Sequence, residues 1–209
     1  MGRHNGRPSF EGLRERLAQE SARLMIEHGI ADFGLAKRKA AERFAVRAAG
    51  ALPTNAEIEQ CLAERQRIFE PLAHAARIEE LRRAAQHVMD LLAAFEPRLA
   101  GPVLAGTATI NTAIELHVFS ATPEAVADAL AQAGAIFGAC ERRMRYGSGE
   151  VATIPGFAFA LVAQSVVVLV FGENGVREAP LSPVDGRPMQ RASRAKLARL
   201  LAGDPAERL

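Results

Sequence analysis

Apolar positions recur at helical spacing through the first half of the chain and at strand spacing through most of the second. Phe10, Leu13, Leu17 and Leu24 follow one another at intervals of three, four and seven, which predicts an amphipathic helix over 10–28 that Gly29 stops. Leu35, Ala36, Ala40 and Phe44 mark a second helix over 35–47. Its outer face carries Lys37, Arg38, Lys39, Arg43 and Arg47, and Gly50 and Pro53 end it. Thr54 and Glu57 form the T-x-x-E of a capping box, opening a third helix on Ile58, Cys61, Leu62, Ile68 and Phe69. A fourth runs over 75–94 on Ile78, Leu81, Ala85, Val88, Met89 and Leu92, and Pro97 closes it.

The period changes after Pro97. Residues 102–106 and 113–119 read as strands. Thr122-Pro123 opens a helix that lasts to Gly134, with proline at the first helical position. A strand over 141–146 follows. Residues 157–163 and 166–171, rich in Val, Phe and Leu and separated by Gln164-Ser165, read as an antiparallel pair. Glu173-Asn174-Gly175 is a turn, and the proline-punctuated 179–188 crosses to a short final helix over 193–202. Helices first and strands afterwards predict an α+β protein: a helical N-terminal region, 1–97, followed by a mixed β-sheet domain with a C-terminal helix, 98–209.

Composition narrows the class of protein. A chain of 209 residues, 49% hydrophobic and 24% charged, has enough core to fold without staples. Cys61 and Cys140 are far apart and outside any C-x-x-C pattern, which argues against disulfides and a zinc site and suits a reducing cytoplasm. The first residues, MGRHNGRPSFEGLRERL, contain no apolar core of a signal peptide, and the apolar run at 166–171 is too short to span a bilayer. A cytoplasmic protein without a membrane partner is therefore expected. Alanine and arginine exceed lysine, a bias that fits a GC-rich bacterial genome. The net charge of +2 does not announce a nucleic-acid binder. Ten basic against six acidic residues over 1–50 nevertheless concentrate positive charge around Lys37, Arg38, Lys39 and Arg43. That helix is a candidate contact for nucleic acid or an acidic partner, and equally a solvated face.

The stretch 101–123, GPVLAGTATINTAIELHVFSATP, gathers the candidate chemistry. Gly106-Thr107 supplies a glycine step and a hydroxyl suited to phosphate. Ala113, Glu115 and His117 alternate onto one face of the strand that follows. Arg143 and Arg145 share a face of a later strand and can hold a triphosphate, or guard an edge. No serine sits between the glycines of a nucleophile elbow, and both cysteines lie in apolar surroundings.

Gly106-Thr107, a turn, and then Ala-Ile-Glu-Leu-His-Val-Phe resembles the signature of the nucleotidyltransferase superfamily, the DNA-polymerase-β-like fold that includes the minimal nucleotidyltransferases. In that family a Gly-Ser follows the first strand and a D-x-D or D-x-E pair lies on the second. The resemblance covers about 99–130 in motif and 99–171 in topology. It implies transfer of a nucleoside monophosphate from an NTP to a hydroxyl or phosphate acceptor, with Mg2+ as cofactor. Carried onto this chain, Glu115 is the catalytic carboxylate, Glu115 and His117 are the metal ligands, and Gly106, Thr107, Arg143 and Arg145 hold the nucleotide. In one register Ala113 stands at the first carboxylate position and Glu115 at the second; in the other the pair is Glu115 and His117. No acid occurs over 157–171, where a third carboxylate is expected. Three functions stay open: an active nucleotidyltransferase, an inactive relative that binds a nucleotide or partner, and a nucleic-acid-associated protein using the basic helix.

Overall fold

Local signals set most element boundaries in the computed structural model, which describes residues 10–45, 52–69 and 71–203. The class is α+β, with helices in the N-terminal half and a six-stranded mixed sheet after them. The first three helices are α1 (Phe10–Glu27), α2 (Phe33–Arg43) and α3 (Asn55–Phe69). Asp32 caps α2 by accepting from the Leu35 N–H at 2.6 Å. The capping box of α3 forms as expected, Thr54 Oγ1 accepting from Glu57 N and Glu57 Oε2 accepting from Thr54 N. Arg47 and Gly50, assigned to the second helix and its end from sequence, lie outside the described residues. Among the described residues no helix is long and apolar enough to cross a membrane.

The chain divides into two compact units, at Pro71 rather than at Pro97. The first comprises α1–α3 with residues 109–111, and packs Ala18, Ala22, Met25, Ala36, Ile58 and Leu62 together. The second takes α4 (Pro71–Leu91) and everything after it except 109–111. That helix belongs with the sheet because its apolar stripe, Ile78, Leu81, Ala85, Val88 and Met89, joins the sheet's own core.

The strands are β1 (Arg98–Ala100), β2 (Ile114–Phe119), β3 (Phe137–Arg145), β4 (Val151–Leu161), β5 (Gln164–Phe171) and β6 (Ala192–Ser193), in the order β3-β4-β5-β2-β1-β6. Only β2 and β5 run parallel; every other neighbouring pair is antiparallel. Residues 102–106, expected as a strand, are helical instead: α5 (Gly101–Ala105) has Pro102 in its first turn and Gly106 as a left-handed C-cap. The strand comes just before, at β1. The β4–β5 turn falls on Val162 and Ala163, so Gln164 and Ser165 pair in β5 rather than making the turn. The remaining helices are α6 (Pro123–Gln132) and α7 (Arg194–Leu201), the latter capped by Ser193 Oγ accepting from Lys196 N.

Alternation along the strands gives the sheet two unlike faces. Ile114, Leu116 and Val118 of β2 and Val166, Val168 and Val170 of β5 meet the helices. The opposite face carries Glu115, His117, Phe119, Leu169 and Phe171, joined from β3 and β4 by Met144 and Ile154 and covered in part by Val176 and Met189. Leu181 N, donating to Arg145 O at 2.6 Å, ties the crossing segment to β3, while Met189 N, donating to Pro180 O at 2.8 Å, closes the segment on itself and Met189 packs on this face.

Gly156 is where the sheet tolerates no side chain. A Cβ there would stand 2.5 Å from Val168 O and 2.9 Å from Leu169 Cδ2, and the carbonyl is fixed in the central sheet. Gly156→Ala is expected to destabilise the protein by about 1–3 kcal/mol through forced strand displacement, read from urea unfolding. An unchanged midpoint would mean that β4 and β5 separate freely at this point.

Candidate functional site

All six residues of β2 are buried, although two of them are ionisable. Glu115 is 8% exposed and His117 not at all. Polar groups buried this deeply must find partners within the protein, and these do so as a chain of four side chains. His117 Nε2 lies 2.9 Å from Glu115 Oε1. Arg142 Nη1 donates to Glu115 Oε2. Arg191 Nε donates to His117 Nδ1 at 3.0 Å, and Arg191 Nη1 to Gly175 O at 2.7 Å. The Arg191 guanidinium also packs over the rings of Phe171 and Phe119, 5.0 and 5.4 Å from their centroids.

This geometry fixes the tautomer. A guanidinium N–H can only donate, so His117 Nδ1 accepts, and the imidazole proton sits on Nε2 and points at Glu115. A second proton on Nδ1 would face the Arg191 N–H, so the ring is neutral. Burial pushes the His117 pKa below its usual 6.5; the hydrogen bond to Glu115 opposes this without reversing it, and the charges of Arg191 and Arg142 reinforce it. Burial pushes the Glu115 carboxyl upward, but the His117 hydrogen bond and the Arg142 charge outweigh it and hold the group below the ordinary carboxylate range.

The sequence-predicted residues separate into those this cluster includes and those it does not. Glu115 and His117 are adjacent, as expected from their spacing. Gly106 and Thr107 are not phosphate donors facing them: they stand at the C-terminus of α5, where both amides bond to Pro102 O. His74 Nε2 donates to Gly106 O at 2.8 Å, while Arg82 caps the Val103 and Leu104 carbonyls. A helix C-terminus offers carbonyls and negative potential, the wrong sign for phosphate. The glycine against Glu115 is Gly101, whose φ of +70° favours glycine and whose open side faces the Glu115 carboxylate. Arg143 and Arg145 are exposed and project from the face of β3 opposite Arg142. The cluster thus takes Arg142, with Arg191 and Gly101, in place of the two arginines and the glycine expected. Met144, which shares its face with Arg142 and is buried, is the sequence signal that identifies the inward parity of β3.

The residues at Glu115 and His117 do not fit a magnesium pair. Magnesium takes oxygen ligands, yet both Glu115 oxygens and both His117 nitrogens are engaged. The β5 neighbours opposite them are Val167 and Leu169. No group of three or more His, Cys, Asp or Glu converges among the described residues. On α2, Arg38, Lys39 and Arg43 are exposed, Arg43 with an ion pair to Glu20 at 3.2 Å, and Lys37 is partly buried beside Glu57 and Arg14.

Because folding holds His117 neutral, the unfolded chain takes up a proton near pH 6.5 that the folded chain refuses, and the folded state loses ground as pH falls. Unfolding free energy is expected to decline below pH 6.5 by up to about 1.4 kcal/mol per pH unit from this single group. His117→Gln flattens that part of the profile, and denaturant titrations from pH 8 to 5 read both. A His117→Gln profile parallel to the parent's would place a charged imidazole in the folded protein.

Compared with protein-family models, with curated proteins and with solved structures, the chain matches none.

Proposed function

We propose that the protein is a non-catalytic binding module whose sheet domain resembles a nucleotidyltransferase but has exchanged the metal-dependent chemistry of that fold for a structural core. One observation carries this reading: every ligating atom of Glu115 and His117 is already bonded to another side chain. A carboxylate that serves transfer chemistry must be open to metal or to the attacking oxygen. Glu115 instead balances Arg142 and receives the His117 proton, a role that concerns folding.

Charge placement supports the same reading. The predicted nucleotide-holding groups do not converge, with Gly106 and Thr107 at a helix C-terminus and Arg143 and Arg145 on the exposed side of an edge strand. Binding of nucleic acid through α2 has less support, because Lys37 is partly buried and Arg43, though exposed, is ion-paired with Glu20.

The test is label transfer from ATP, GTP, CTP and UTP with Mg2+, alongside unfolding of Glu115→Ala. The expected result is no transfer by the parent protein, and a loss of about 1–3 kcal/mol of stability in the variant, since removing Glu115 leaves the buried His117 N–H without its acceptor, while the half-exposed Arg142 can turn to water. Magnesium-dependent transfer that disappears in a stably folded Glu115→Ala variant would overturn the reading.

A further inference from the structure

The parallel pair at the centre of the sheet sends its two exits to opposite faces. After Phe119, β2 turns through Ser120 and Ala121 into α6, whose Val126 and Leu130 pack on the helix side. After Phe171, β5 turns through Gly172 into a short 3-10 turn, Glu173–Val176, whose Val176 packs on the other side. Loops that diverge from the carboxyl ends of neighbouring parallel strands leave a crevice between them, and open α/β sheets bind ligands at such points. Here the crevice is a cleft of about 450 Å³ contained within the sheet unit and lined by both exits and by the β3–β4 turn. That volume lies in the range of small-molecule sites, roughly 300–1,000 Å³.

Its lining selects a ligand by charge. Ala152, Ile154 and Phe171, which share one face of the sheet, make an apolar floor. Tyr146, Glu150 and Glu178 stand around it, and no lysine or arginine lines it. Neither carboxylate has an ion-pair partner among the described residues. Burial pushes the Tyr146 phenol up, the nearby Arg191 charge opposes this, and the fields of Glu178 and Glu150, which line the cleft with it, add to the rise. Arg191 does not line the cleft; its Nε and Nη1 bond to His117 Nδ1 and Gly175 O, and its Nη2 is buried without a partner among the described residues. The N-terminus of α6 also borders the cleft, but Pro123 has no N–H to offer and Glu124 already complements the helix dipole. Negative charge over an apolar floor disfavours a phosphate or carboxylate and favours a cation with an apolar body.

We infer that this cleft binds an organic cation, a primary amine carried on an apolar group, with Glu150 and Glu178 receiving the ammonium and Phe171, Ile154 and Ala152 the body. The inference deepens the binding-module reading and rests on it.

The chain has one tyrosine and no tryptophan, so tyrosine emission comes from Tyr146 alone and reports on the cleft. Cyclohexylmethylamine, which does not fluoresce, is titrated into the protein at low salt, with cyclohexylmethanol and cyclohexanecarboxylate as neutral and anionic counterparts and calorimetry as a second readout. A saturable change is expected with the amine, binding at least tenfold weaker with the alcohol, and none with the acid. In the Glu150→Gln, Glu178→Gln double variant, whose substitutions are at exposed positions, amine affinity falls at least tenfold and that of the alcohol stays unchanged; far-UV circular dichroism checks that it is folded. The inference is overturned if the amine gives no saturable signal by either method, if the folded double variant binds it as well as the parent, or if the carboxylate or ATP binds as tightly. Those outcomes are separate from NTP turnover, which overturns the non-catalytic reading and leaves the amine titration intact.

Discussion

A strand buried on both faces that nonetheless carries a glutamate and a histidine sets the terms for the rest of the sheet unit. On the helix side β2 presents only Ile114, Leu116 and Val118. On the other side the pair has to be satisfied by groups from elsewhere in the chain, since leaving either one unpaired costs several kcal/mol. The partners come from opposite margins of the sheet. Arg142 reaches in from β3 at one edge, and Arg191 from the residue preceding β6 at the other. The polar chain thereby spans the face opposite the one that α4 and α6 pack on, and the crossing segment that delivers Arg191 is held there by the Leu181 hydrogen bond to β3 and by Met189 packing.

Much of the architecture is legible in the sequence because it rests on local physics. The helical stripes, the capping box at Thr54 and Glu57, the proline start of α6 and the β4–β5 hairpin depend on residues near one another in the chain. Glu115 and His117 share a face by alternation alone, and their proximity follows from it. The places where sequence reading fails are equally specific. Pro102–Gly106 looks like an apolar strand, but Pro102 beside the left-handed Gly101 starts a helical turn, and the strand that pairs with β2 is only Arg98–Ala100. The division at Pro71 is hidden because α4 has the same periodicity as the helices before it; only its packing partners assign it to the sheet.

The site residues that sequence reading misses are joined by long-range contact. Arg191 is separated from His117 by 74 residues and lies in a segment with no periodicity to mark its direction. Arg142 sits between two candidates that look better because they share a face with each other, yet that shared face points away from Glu115. Pairing Arg142 with the buried Met144 gives the inward parity. A charge beside a buried apolar residue at strand spacing is more informative than a charge beside another charge.

The polar chain also explains why β2 has one register. Its β5 partner is apolar on both faces, with Val166, Val168 and Val170 on one and Val167, Leu169 and Phe171 on the other, so apolar contact alone sets the register weakly. Slipping β2 by one position would turn Glu115 and His117 into the helix-side core, among Leu81, Val88 and Leu130, away from Arg142 and Arg191. That arrangement leaves two buried polar groups unpaired and is excluded by more than any loss of apolar contact. An all-apolar β2 would bury its surface at least as favourably, but would lose the penalty that separates the observed pairing from its neighbours. Glu115 and His117 therefore contribute most through the alternatives they forbid. This role requires that they stay closed to metal and solvent, while the divergent exits of the same two strands leave an open crevice at their carboxyl ends.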